Sequence, residues 1–133
     1  MKKIKLFAFV FSIFLFSCSE NNETKIELTD TSDLPGTCDL TYEGTICCIQ
    51  RNTSLELNKT VEYQYLSNFV YTKIEWEVLN GDIEIISDID SNILKIKLRD
   101  NFNGGEILCG TYNSSGKNCS TMVTISVTDS VTE

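Results

Sequence analysis

The sequence predicts an all-β chain, an antiparallel β-sandwich of seven to eight strands that follows an N-terminal signal segment and a flexible tether. Three observations predict it. Apolar residues recur with period two from Cys38 to Val127, as in strands with one buried face. Turn signals separate these runs at a spacing of about 8 to 12 residues, which suits a sandwich of short strands. No 3.6-residue period follows the first seventeen residues, and a single proline amid plentiful Val, Ile, Thr, Tyr and Phe favours sheet over helix.

Taken in order, Cys38, Leu40 and Tyr42 alternate before a Glu43-Gly44 turn, and Thr45 to Ile49 forms the next extended run. Leu55 and Leu57 follow, then Val61, Tyr63 and Tyr65. Ile74, Trp76 and Val78 alternate with Lys73, Glu75 and Glu77, an in-out strand closed by Asn80-Gly81, whose residues tolerate the positive φ of a tight hairpin. Ile83 to Ile86 comes next, and Leu94, Ile96 and Leu98 alternate with Lys95 and Lys97. The last pair, Ile107 to Tyr112 and Thr121 to Val127, flanks the polar turn Asn113-Ser114-Ser115-Gly116-Lys117. From Ser19 to about Thr37 the chain is polar and acidic with a Leu34-Pro35-Gly36 turn, and only Ile26 and Leu28 suggest a short extended piece. The expected division is signal segment 1–17, lipid-bearing tether 18–37, sandwich 38–128 and C-terminal tail 129–133.

Met1-Lys2-Lys3-Ile4-Lys5 is a short cationic start, and Leu6 to Phe16 is an apolar run interrupted only by Ser12. Spanning a bilayer takes roughly 20 apolar residues, so this run is an export signal rather than an anchor. Leu15-Phe16-Ser17-Cys18 resembles a lipobox, with Phe16 bulkier than the usual occupant. The resemblance implies that Cys18 takes a thioether-linked diacylglycerol, chemistry that needs a thiolate nucleophile. Several acyl chains at about 0.8 kcal/mol per buried methylene then attach the chain to a membrane permanently. Ser19, rather than Asp, follows that cysteine, which by the same resemblance implies outer-membrane lipid anchoring, facing the periplasm or the cell surface.

Loss of residues 1–17 removes three of the eleven basic residues and none of the nineteen acidic ones, leaving a net charge of −11. Such a chain is a poor partner for nucleic acid. The absence of histidine excludes Ser-His-Asp and Cys-His catalysis within the chain and removes the commonest ligand of catalytic zinc. The expectation is a non-enzymatic protein without a cofactor.

Five cysteines lie beyond Cys18: Cys38, Cys47, Cys48, Cys109 and Cys119. An exported chain meets oxidants, so disulfides are expected with one thiol left over. Cys109 and Cys119 flank a turn centred on Ser114, which makes them the preferred cross-hairpin bridge. Cys38 with Cys47 or Cys48 is the second choice. The cysteine spacings lack the short knuckles that zinc prefers. Asp88, Asp90 and Asn92 offer alternating oxygens as a weak calcium candidate, without the Gly and distal Glu of an EF-hand loop. Glu75 and Glu77 share a strand face and are explained by solvation. Phe69, Tyr71 and Phe102 fall in expected loops and are the candidate binding aromatics.

The run I74-E-W-E-V-L-N-G-D-I and the later G105-E-I-L-C-G-T-Y-N make the region from about Leu55 to Val127 resemble the PKD-like and immunoglobulin-like modules of bacterial surface proteins. An immunoglobulin-type bridge is unavailable, because Tyr63 and Tyr65 stand where a cysteine would be needed. The resemblance implies a non-catalytic module for adhesion or for binding protein or glycan. The alternative expectation is a structural or accessory subunit of a cell-envelope complex.

Overall fold

A computed structural model describes residues 25–130. Eight strands form two four-stranded antiparallel sheets, and no helix occurs among the described residues. The strands are β1 (Lys25–Asp30), β2 (Cys47–Arg51), β3 (Thr60–Ser67), β4 (Lys73–Asn80), β5 (Ile83–Ile85), β6 (Ile93–Leu98), β7 (Gly105–Tyr112) and β8 (Asn118–Ser130). One sheet runs β1-β8-β7-β4 and the other β2-β3-β6-β5.

Period two decides what lies between them. Ile74 and Trp76 of β4, Ile107 and Cys109 of β7, and Val123 and Ile125 of β8 project from one sheet. Ile49, Val61, Tyr63, Tyr65, Leu94, Ile96 and Leu98 project from the other, and all belong to one core. Tyr65 Oη and Thr111 Oγ1 lie 2.6 Å apart across that core, so the two sheets share a buried hydrogen bond as well as apolar surface. At the Asn80-Gly81 turn Gly81 takes φ +92°, and an added Cβ would lie 2.5 Å from the Gly104 carbonyl oxygen. The turn therefore needs glycine twice over, for its backbone angle and for the chain that crosses it. It is not the expected hairpin, because β4 and β5 lie in different sheets and the turn carries the chain from one to the other.

Two expected strands are absent. The Cys38–Tyr42 stretch is curled by Asp39, whose carboxylate accepts from the Thr41 amide at 3.0 Å and its hydroxyl at 2.6 Å. Those two bonds, side chain first, also hold the Asp39 carboxyl below its usual range. Leu55 and Leu57 pack on the core from a loop.

The stretch read as a tether contains β1. Its residues pair with Ile125–Ser130 of β8, whereas β7 pairs with Asn118–Ile125. The far end of β8 and β1 thus make a two-stranded ribbon that runs on past the start of β7. Leu28 and Val127 pack against the core. Asp30 ends β1 with a side chain only 3 % exposed. Its Oδ2 accepts from Tyr63 Oη at 2.7 Å, and its Oδ1 accepts from Ser32 Oγ at 2.7 Å. Arg51 Nε lies 3.1 Å from Oδ2 but out of line for a hydrogen bond, so that pairing is by charge. Burial, then the Asp30 charge and hydrogen bond, push the Tyr63 phenol far up, which keeps it a donor. A carboxylate in a supposed linker looks like solvation, and only the fold brings it to Arg51 and Tyr63.

Candidate functional site

Antiparallel connectivity gathers three loops at one end of the sandwich: 68–72 between β3 and β4, 86–92 between β5 and β6, and 113–117 between β7 and β8. Asn68 ties a fourth segment to them. Its amide nitrogen donates to the Tyr42 and Gly44 carbonyls at 3.2 and 2.7 Å, and its oxygen accepts from the Ile46 amide at 2.8 Å. Asn113 holds the hairpin in a similar way, accepting from the Ser115 and Lys117 amides at 3.1 and 2.9 Å. Polar side chains thus fix the loops, with Phe69 and Tyr71 half-buried among them and Tyr71 packed against the core.

Phe69 and Tyr71, two of the three candidate aromatics, meet there. Tyr71 packs edge-on against Tyr65 with centroids 5.7 Å apart, and Phe69 against Tyr71 at 6.3 Å. Lys117 Nζ lies 5.6 Å from the Phe69 ring centroid, a cation–π contact between two loops. Tyr42 and Val70 are 67 % and 85 % exposed at the same end, more apolar surface than a solvated turn requires.

Beside this cluster runs a groove of about 530 Å³ lined by Tyr71, Thr72, Lys73, Glu75, Ile89 and Asp90, with Ile74 at its base. The 86–92 loop forms its far wall, because the Trp76 amide donates to the Ile89 carbonyl at 3.1 Å and Trp76 Nε1 to the Ser91 carbonyl at 2.8 Å. Lys73 Nζ meets Glu75 Oε1 at 2.8 Å, and this hydrogen bond followed by the Glu75 charge pushes the lysine up and keeps it cationic. On the outer face Lys73 stands opposite Tyr112 and Glu75 opposite Gly110. Gly110 lets the Tyr112 ring lie down on the sheet: a Cβ at position 110 would already touch the ring hydroxyl at 3.5 Å and ring carbons at 3.8 Å. Sequence reading missed Tyr112 as a surface group, because an aromatic at a strand end ordinarily caps the core. The available signal was Gly110 two residues before it.

Phe102, the third candidate aromatic, is corrected. It is 5 % exposed, in the loop between β6 and β7 at the opposite end, and it plugs the core. The calcium candidate also separates: Asp90 lines the groove, Asp88 lines a different depression with Ser87 and Lys95, and the Asn92 carbonyl accepts from the Tyr65 amide. Among the described residues no group of three or more His, Cys, Asp or Glu side chains is placed to hold a metal. Cys18 lies outside the described residues.

The disulfides are Cys38–Cys48 and Cys47–Cys119. The preferred Cys109–Cys119 bridge does not form, because the hairpin register pairs Tyr112 with Asn118 and so centres on Ser115 rather than Ser114. Cys109 then faces Thr121 and Cys119 faces Thr111. Adjacent Cys47 and Cys48 point to opposite faces of β2, so they take different partners. Cys47 crosses the core to β8, while Cys48 staples the preceding loop to the outer face.

Cys109 is the leftover thiol, fully buried beside Trp76, and burial pushes it up to about 12. Its folded value lies above the 9.0 of a free thiol, so the stability it contributes is fully present below about 9 and is lost as pH rises through about 12. Folded protein is expected to resist iodoacetamide at Cys109 at neutral pH, with labelling by mass spectrometry appearing only in denaturant or toward that alkaline limit. Prompt labelling of native protein would contradict this placement.

No family model, curated protein or solved structure matches the chain.

Proposed function

We propose that the chain is an envelope lipoprotein, lipidated at Cys18, whose non-catalytic immunoglobulin-like or PKD-like domain binds protein or glycan through its loop end. The observation that carries this is the polarity of β8. It starts at the aromatic loop end and finishes at Ser130, which pairs with Lys25. Thirteen strand residues at about 3.3 Å each separate these points by on the order of 40 Å. A chain arriving from Cys18 therefore enters at the pole opposite the groove, and the groove faces away from the membrane.

Strand order supports the domain reading. β2-β3-β6-β5 and β8-β7-β4 follow the A-B-E-D and G-F-C orders of immunoglobulin domains, with β1 added beyond the last strand. Trp76 stands buried on the strand equivalent to C. The chain departs from that pattern in its bridges, Cys47–Cys119 joining the sheets while Cys109 stays reduced. The accessory-subunit alternative loses one docking route, since the spare thiol is buried.

Fatty-acid labelling tests the anchor, with incorporation and membrane retention expected for the native chain and neither for Cys18→Ser. Retention of the full chain, in detergent, on an array of immobilised glycans and extracellular-matrix proteins tests the binding end. Loss of that retention in Val70→Asp is expected. A blank array, or fatty acid still incorporated by Cys18→Ser, overturns the corresponding half of the reading.

A further inference from the structure

Resting on the reading that the loop end binds, we propose that the groove and the Tyr112 ring together form a subsite for a neutral saccharide. The Tyr112 ring lies on the sheet above Gly110, 42 % exposed, with Lys73 Nζ over the ring at 5.9 Å from its centroid and Glu75 paired to that lysine. A sugar ring presents one face of C–H groups and a rim of hydroxyls. An aromatic face backed by the sheet takes the first, and paired donors and acceptors at its edge take the second.

The groove supplies that edge. Glu75 and Asp90 accept from vicinal hydroxyls, bonds strengthened by the carboxylate charge, Lys73 donates, and the Thr72 hydroxyl, whose own proton goes to the Tyr112 carbonyl, accepts. Lys73 and Glu75 already hold each other at 2.8 Å, so neither has to be ordered from a free rotamer when ligand arrives. One lysine against two carboxylates leaves the groove negative, on a chain that is itself acidic. That charge repels uronates, sialic acids and phosphates and admits neutral sugars. The volume of about 530 Å³ is within the range of small-ligand sites and is open on one side, which fits the end of a longer glycan. An extended peptide added along β4 is a poorer fit, because the Trp76 amide on that edge is already bonded to Ile89.

The full chain in detergent micelles is titrated with maltotriose, cellotriose and chitotriose, and with trigalacturonate as the anionic probe, following ligand contacts by saturation-transfer NMR. At least one neutral trisaccharide is expected to bind in the millimolar range or tighter, with trigalacturonate weaker. Tyr112→Ala and Asp90→Asn are each expected to weaken it by about tenfold, a change of one decade in Kd. Both are surface changes, and unchanged backbone amide shifts elsewhere would show that they fold. Absence of binding by every neutral probe, preference for trigalacturonate, or indifference to Tyr112→Ala overturns the subsite. Array retention on a matrix protein without any trisaccharide binding would sink the saccharide inference and leave the wider binding reading standing.

Discussion

Cys47→Ala/Cys119→Ala is expected to lose about 4 kcal/mol of unfolding free energy in urea, measured against the native oxidised chain. The bridge closes 72 residues and joins the two sheets at the loop end. Most of its effect lies in the unfolded chain, which regains the freedom of a long loop. Cys38→Ala/Cys48→Ala opens a loop of only 10 residues and is expected to cost nearer 3 kcal/mol. The order of the two losses is the test. A larger loss for the short loop would show that local packing, rather than chain closure, governs these bridges. The long bridge also borders the groove end, so its removal is expected to broaden the amide signals of Phe69 and Lys117.

Asp30→Ala is the second large effect, a loss of about 4 kcal/mol. The substitution leaves Arg51 Nε buried without its counter-charge and Tyr63 Oη without its acceptor. Tyr63→Phe removes one hydrogen bond and keeps the ion pair, so about 1.5 kcal/mol is expected. Hydrogen exchange separates these effects in space. Asp30→Ala is expected to speed exchange in β1 and its partner residues 125–130, whereas β3 and β6 keep their protection until global unfolding. A loss below about 1 kcal/mol would mean that the cluster behaves as an exposed surface pair.

Strands with one wet and one dry face were legible in the sequence. Ile74, Trp76 and Val78, or Leu94, Ile96 and Leu98, alternate against charge, and both runs are strands with those residues turned inward. Asn80-Gly81 announced its turn for a stereochemical reason that needs no partner. What stayed hidden depended on distant contacts. β1 carries Ile26 and Leu28 among polar residues, and its pairing rests on a strand about a hundred positions away. The cysteine pairing turned on a one-residue shift of the hairpin centre, smaller than any turn signal resolves. At the candidate site Phe69 and Tyr71 were visible as loop aromatics, while Phe102 in a similar setting proved to be core. Which end of the sandwich a loop occupies follows from strand order, and composition carries no trace of it.

The ribbon of β1 and β8 has a mechanical consequence. If Cys18 carries a lipid and the groove holds a ligand, as proposed, a load between them would pull Lys25 along the axis of β1, away from the loops. Because β1 lies antiparallel beside residues 125–130, that pull slides one strand along the other and strains their ladder hydrogen bonds together instead of peeling them singly. Asp30, gripped by Arg51 and Tyr63 at the far end of β1, acts as the stop against that sliding. In that direction the β1–β8 ladder is loaded in shear, the geometry in which a strand pair resists tension best.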